Sequence, residues 1–228
     1  MALQRAYAPL ELVDRYERLD SSAVADAQQG MRVLHPRIAS LVPRRVIAGP
    51  AFTVRTYPGG MMTVQKALLE ARPGEVIVVD AGGDVEAGGL WGGIMSEEAK
   101  RRGLKAVVID GAARDRLDLR EVGFPTFAAA ITPRLGTNLQ IGLTQVPISC
   151  GGVAICAGDW IVGDDDGVVA IPARMVETIL QAAEAIKRRE REVQARVAAG
   201  ENMADILGFR RFIDEGPESV SVLSRPEE

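Results

Sequence analysis

The chain has 228 residues, the size of one ordinary domain or of one domain with an added arm. With 47% hydrophobic and 25% charged residues it can build a core, so a generally disordered chain is excluded. A net charge of -4 excludes a broadly basic nucleic-acid surface, and a lone histidine, His35, excludes multi-histidine metal centres.

In chain order, Leu10, Leu12, Val13, Tyr16 and Leu19 form an apolar stripe at helical spacing. Ser21-Ser22 offer an N-cap to a second helix that ends at Gly30. His35-Pro36 reads as a structural turn outside every candidate site. Residues 45–57 alternate loosely and are interrupted by Gly49-Pro50, predicting a strand with a turn or bulge. A helix over 61–71 stops at Arg72-Pro73-Gly74, and Val76-Ile77-Val78-Val79 reads as a strand buried on both faces. A glycine-rich loop, a helix over 94–102 and a second run, Ala106-Val107-Val108-Ile109, complete a right-handed βαβ unit. Ligands of such sheets bind beyond the carboxyl ends of the strands, so residues 80–93 and 110–115 are the expected active edge.

From 124 to 171 the pattern changes to short strands, at 126–130, 147–155, 160–162 and 168–171, which suggests a compact α/β sandwich or barrel. Asp164-Asp165-Asp166-Gly167 lacks the spaced ligands of a calcium loop and reads as a tight turn. Beyond Pro172, Val176, Ile179, Leu180, Ala183, Ile186, Val193 and Val197 predict a long helix stopping at Gly200. Its arginines are interleaved with Glu184, Glu190 and Glu192, as on a solvated face. The expected organisation is a single domain over 1–172 and a helical arm over 173–228 that packs on a neighbouring subunit, with a loose tail from about 216.

There is no run of about 18 apolar residues and no apolar signal region at the start, so a cytoplasmic protein without membrane partners is expected. Cys150 and Cys156 have no Cys or His partners at metal-binding spacing and read as two half-buried residues in neighbouring strands. The glycines of 82–93 match neither nucleotide-loop pattern, yet Gly92-Gly93 stand just before a helix whose free N–H groups can receive a carboxylate. Arg114 and Asp115 follow the second parallel strand. Arg114 can polarise a carbonyl or hold an enolate, and Asp115 can hold a magnesium-type ion with water at its other positions. A plain surface ion pair is the other reading of the same two residues.

The stretch Gly92-Gly93-Ile94-Met95-Ser96-Glu97-Glu98-Ala99-Lys100-Arg101-Arg102-Gly103, followed by Val107-Val108-Ile109-Asp110-Gly111-Ala112-Ala113-Arg114-Asp115, resembles the RraA-like superfamily. That group includes the 4-hydroxy-4-methyl-2-oxoglutarate/4-carboxy-4-hydroxy-2-oxoadipate aldolases, which also decarboxylate oxaloacetate. Pro73-Gly74-Glu75-Val76-Ile77-Val78-Val79-Asp80, Gly158-Asp159-Trp160-Ile161-Val162 with Asp166-Gly167-Val168-Val169, and Ala199-Gly200-Glu201 agree in order, so the resemblance runs over about 20–212.

The resemblance implies an α/β sandwich similar to the swivelling phosphohistidine domain, assembled as a homotrimer or as a hexamer of two trimers. It implies that Arg114 contacts the pyruvyl oxygen, that Asp115 ligates a divalent metal (Mg2+ or Mn2+), and that Gly92, Gly93, Ile94 and Met95 receive the carboxylate on their amides. Glu201 is implied to reach the metal's water shell from a neighbouring subunit. Two departures stand out: the aldolases usually carry an aspartate where this chain has Gly93, and Met61, Met62 and Gln65 replace a more polar segment. Asp84, Glu86, Glu97 and Glu98 are candidates to replace the missing acid. The implied function is a metal-dependent carbon–carbon lyase acting on a 2-oxo acid and releasing pyruvate, by retro-aldol cleavage, oxaloacetate decarboxylation or both. The alternative is a non-enzymatic regulator that binds a ribonuclease. A methyltransferase, the third label such sequences carry, lacks here the glycine fingerprint for its cofactor.

Overall fold

A computed structural model describes residues 12–216, so the expectations for the first residues, Leu10 included, and for the tail past 216 lie outside it. The chain opens with α1 (Val13–Tyr16) and α2 (Ser21–Ala27). Asp20, not a serine, caps α2 by accepting the Ala23 N–H at 2.9 Å. Ser21 is committed elsewhere: its N–H and hydroxyl donate to the Asp164 carboxylate at 2.7 and 2.6 Å. That carboxylate stands at the head of the Asp164-Asp165-Asp166-Gly167 turn, which joins β9 (Trp160–Asp164) to β10 (Gly167–Ile171) as a plain hairpin connection.

The main sheet runs β1 (Ala39–Ser40), β5 (Thr126–Ile131), β4 (Ala106–Ala113), β3 (Val76–Asp80), β2 (Ile47–Arg55), β9, β10, with β6 (Leu143–Thr144) beside the end of β2. Strands β2, β3, β4 and β5 are parallel. The expected break at Gly49-Pro50 is absent, because β2 changes partner there. Ile47 to Pro50 pair with β9 and Ala51 to Arg55 pair with β3, so proline, which has no N–H to give, falls outside the β3 ladder. Gly49 approaches the Gly74 carbonyl so closely that a Cβ would stand 2.5 Å from it.

Successive strand residues enter two different cores. Phe52, Val54, Ile77, Val79, Val107 and Ile109 pack under α3 (Met61–Glu70), α4 (Gly93–Arg101) and α5 (Arg116–Val122). Ala51, Val76, Val78, Ala106 and Val108 face the other way, against Leu34, Ile38 and a small hairpin. Covering both faces is what makes the uninterrupted apolar runs of β3 and β4 necessary. The layered α/β architecture is the one the sequence indicates.

Three local expectations change. Residues 147–155 form not one strand but the hairpin β7 (Ile148–Cys150) and β8 (Val153–Ile155), turned by Gly151-Gly152, both at positive φ. Cys150 is therefore fully buried while Cys156, just past β8, is exposed. Strand β4 continues through Asp110-Gly111, so Asp110 belongs to the sheet and not to an edge loop. Its side chain, 6% exposed, accepts Arg37 at 2.7 and 2.9 Å and the Gly151 N–H at 2.8 Å.

The chain divides into two units, residues 1–184 and 185–228, and the division falls within the long helix α6 (Val176–Ala198). The first turns of α6 belong to the first unit because Val176, Ile179, Leu180 and Ala183 are buried. In addition, Tyr16 Oη donates to the Val176 carbonyl, and Arg15 pairs with Glu184. The second unit continues through α7 (Met203–Ile206) and α8 (Arg210–Glu215). Among the described residues no helix is long and apolar enough to cross a membrane.

Candidate active site

The carboxyl ends of β3 and β4 carry the candidate site. After β3 the chain loops out and returns at Gly89-Leu90-Trp91, which lies against the end of β4: Leu90 N–H bonds to the Ala112 carbonyl and Arg114 N–H to the Trp91 carbonyl, at 2.9 and 2.8 Å. Trp91 is the anchor. It stacks on Phe124 with ring centroids 6.0 Å apart, and its indole N–H donates to Ser96 Oγ inside α4 at 2.7 Å. The start of α4 is thereby held beside Arg114 and Asp115.

Glycine at positions 92 and 93 is a packing requirement. A Cβ on Gly92 would collide with Asp115 Oδ2, and a Cβ on Gly93 would lie 2.6 Å from the Cβ of Asp118. No side chain caps α4, which leaves its first N–H groups and the positive end of its dipole available to an anion. Asp115 holds φ 58° and ψ 47°, the left-handed region, at the head of α5, where its carboxylate makes no cap. One carboxylate oxygen instead accepts Arg114 Nε at 2.9 Å, with the two side chains 32% and 31% exposed.

Between these parts lies a cavity of about 300 Å3 lined by Gly92, Ile94, Met95, Arg114 and Asp115. The structure therefore brings five of the seven expected site residues to one opening, with Gly93 immediately behind Gly92. Glu201 belongs to the second unit. There Arg196 holds it with a 2.6 Å ion pair, and that hydrogen-bonded guanidinium keeps its carboxyl below the usual range. The cavity also takes Met61, Gln65, Trp91 and Leu135. Met61 and Gln65 are one turn apart on α3, and their departure from the related segment was the available signal. Trp91 could have been suspected as the large residue preceding Gly92. Leu135 had no signal, since it arrives through a bridge with Gly89.

None of the four acids considered as replacements for the missing one lines this cavity. Asp84 accepts the N–H groups of Glu86 and Ala87 in its own loop, and Glu98 pairs with Arg102. The carboxylate that does stand beside Gly93 is Asp118, in the first turn of α5. For a divalent cation the cavity offers one carboxylate, and among the described residues no three His, Cys, Asp or Glu side chains come together. One carboxylate plus water fits a magnesium-type ion and does not fit a zinc-type centre.

His35, expected in a structural turn outside every candidate site, does not line this cavity. It lines a second cavity of about 340 Å3 with Arg37, Asp80 and Asp110, because its turn is tied to the sheet by the Arg37–Asp110 pair. The acids there are already engaged: Asp80 accepts the N–H groups of Gly82 and Ser149, and Asp110 those of Arg37 and Gly151.

Comparison with known proteins places the chain among relatives. A family model described as RraA-like, Aldolase/RraA, matches residues 21–170. A protein of Halalkalibacterium halodurans that carries the provisional name 4-hydroxy-4-methyl-2-oxoglutarate aldolase is 35% identical over 208 residues, which is 91% of this chain and 96% of that protein. Among solved structures, an uncharacterised protein of Pseudomonas syringae superposes with a TM-score of 0.81 at 28% identity, covering 90% of this chain and 96% of that one. Streptomyces coelicolor RraAS2, described as an unusual member of the RNase ES inhibitor RraA family, superposes at 0.73 with 29% identity, covering 82% and 98%.

Proposed function

The chain belongs to the RraA-like family, and on that premise we propose that it is a carbon–carbon lyase releasing pyruvate from a small 2-oxo acid. The observation that carries the reading is the meeting of Arg114, Asp115 and the uncapped start of α4 at one cavity. The substrate carboxylate takes the N–H groups of Gly93, Ile94 and Met95, and the C2 oxygen takes the Arg114 guanidinium. In a 4-hydroxy-2-oxo acid, loss of the O4 proton to a base breaks the C3–C4 bond. The released electron pair forms the C2–C3 enolate, whose oxygen charge Arg114 meets, and a proton returned to C3 gives pyruvate. Interactions of this kind, present only as charge develops, are each worth about 100- to 1,000-fold in rate.

Asp115 would hold a magnesium- or manganese-type ion, which when bound would supply Lewis-acid stabilisation of the developing negative charge. The Nε hydrogen bond from Arg114 orients the Asp115 carboxylate and leaves the outer guanidinium nitrogens for substrate. We assign the base to Glu201 of a neighbouring copy in a homotrimer or hexamer; the Arg196 guanidinium that holds its carboxyl below the usual range weakens it as a proton acceptor, so that pair must open for the base to act.

The test is pyruvate release from 4-hydroxy-4-methyl-2-oxoglutarate and from oxaloacetate, with and without Mg2+ or Mn2+. Turnover that falls about 100-fold in Arg114→Ala is expected. Absence of pyruvate from both acids, together with Mn2+ affinity unchanged in Asp115→Ala, would overturn the lyase. The likeness to RraAS2 favours a second reading, a ribonuclease-binding regulator. Recovery of a ribonuclease by a chain inert towards every 2-oxo acid would select it.

A further inference from the structure

A 2-oxo acid carries its carbonyl on the carbon next to its carboxylate. The free N–H groups of α4 and the Arg114 guanidinium must therefore stand at one fixed spacing to hold both at once. These groups belong to different elements, and Trp91 joins them. Its carbonyl accepts the Arg114 N–H at 2.8 Å, and its indole N–H donates to Ser96 Oγ at 2.7 Å. Ser96 in turn closes the first turn of α4, its own N–H donating to the Gly92 carbonyl at 3.1 Å. The rest of that turn has little to hold it: no side chain caps it, Gly93 has no side chain, and Ile94 is 86% exposed. A buried indole N–H without an acceptor is costly, so the direction of the turn is tied to that of the ring. Trp91 and Ser96 are both fully buried within one chain, out of reach of any neighbouring copy.

We propose that Trp91 and Ser96 form a positioning pair: the hydrogen bond between them, and not the stacking of the ring, holds the α4 amides at the spacing from Arg114 that a 2-oxo acid requires. This role rests on the carboxylate and carbonyl assignments of the lyase reading and adds the residues that set their separation. The pair makes the site prefer acids whose carbonyl adjoins the carboxylate over acids in which one more carbon intervenes.

Calorimetry on the full chain with Mg2+ tests this with two probes, pyruvate and 3-oxobutanoate. Both carry one negative charge, so a charge brought by a neighbouring copy acts on the two alike. Wild type should bind pyruvate several-fold more tightly. Ser96→Ala and Trp91→Phe should each weaken pyruvate about fivefold or more while changing 3-oxobutanoate less than about twofold. Because both substitutions remove the same bond, the double variant should lose no more than the worse single one. Phe124→Leu, which loosens the stacking and leaves the bond, should lower the melting temperature and keep the preference. No preference in wild type, an unchanged preference in Ser96→Ala, additive losses in the double variant, or a preference lost in Phe124→Leu overturns the positioning role. Pyruvate release from 2-oxo acids, measured alongside, separates this role from the lyase. Turnover with an unchanged preference in the variants removes the positioning pair and leaves the lyase. The expected binding pattern without turnover of any 2-oxo acid supports the pair and removes the lyase.

Discussion

Asp115 adopts a left-handed backbone that costs a residue with a Cβ roughly 1–2 kcal/mol, less for aspartate than for most. Such strain persists where a side chain must be aimed, and here it turns the carboxylate away from capping α5 and onto Arg114. Stability and activity should therefore separate at this position. In urea unfolding, Asp115→Gly should exceed Asp115→Ala by about 1 kcal/mol, because only glycine adopts this φ freely. Both variants should lose pyruvate release together. Equal stability of the two would show that the backbone strain is not held there. Gly93 poses the reverse problem, a residue whose neighbour leaves no room. Gly93→Ala should cost roughly 1–3 kcal/mol through collision with Asp118, and most of that loss should disappear in the Asp118→Gly background. A loss that survives in that background would place its cause in the backbone instead.

Among elements, β3 and β4 were legible because burial on both faces demands continuous apolar residues, and α3 and α4 because each ends at a glycine or proline breaker. Strand β2 was not, since the pairing change that makes Pro50 harmless is a tertiary fact. Helix α5 escaped notice because only Leu119 is buried in it and Leu117 points to solvent. For the same reason Arg114, Asp115 and Gly92 could be found from their place at a strand end or helix start, whereas Leu135 could not. The length of β4 also matters, because it carries Asp110 to where Arg37 and the β7–β8 turn converge. Removing that carboxylate leaves the Gly151 N–H without its partner and frees a guanidinium that is already 42% exposed, so Asp110→Ala should cost about 1–3 kcal/mol in urea unfolding while the folded variant keeps its pyruvate release. Strand β7 adds a pH dependence. Burial, with Asp110 and Asp80 nearby, pushes the Cys150 thiol well up, so it stays protonated in the fold while the unfolded chain ionises near about pH 8.5. The unfolded state then binds fewer protons, and stability should fall as pH rises above that value. Cys150→Ala should flatten the slope of melting temperature against pH between about 8 and 9.5, whatever it does to the melting temperature itself.

At the scale of the whole molecule, the first unit contributes every residue lining the cavity, and the second carries Glu201 on a largely exposed helical arm. Val197, Met203, Phe209 and Ile213 of that arm are large apolar residues left exposed in the single chain. An active assembly in which each cavity receives Glu201 from a neighbouring copy makes a quantitative demand. Arg114→Ala and Glu201→Gln should each keep no more than about a hundredth of the activity alone, since each removes one half of every site. Mixed in equal amounts and allowed to exchange subunits, they should recover about a quarter of the wild-type sites, because a working site then pairs the intact Arg114 of one variant with the intact Glu201 of the other in a closed ring. Recovery should follow the slow exchange of subunits and should be absent when the two are mixed without exchange. If Glu201 instead served the cavity of its own chain, no mixture could regain activity, because every chain would still lack one of the two groups.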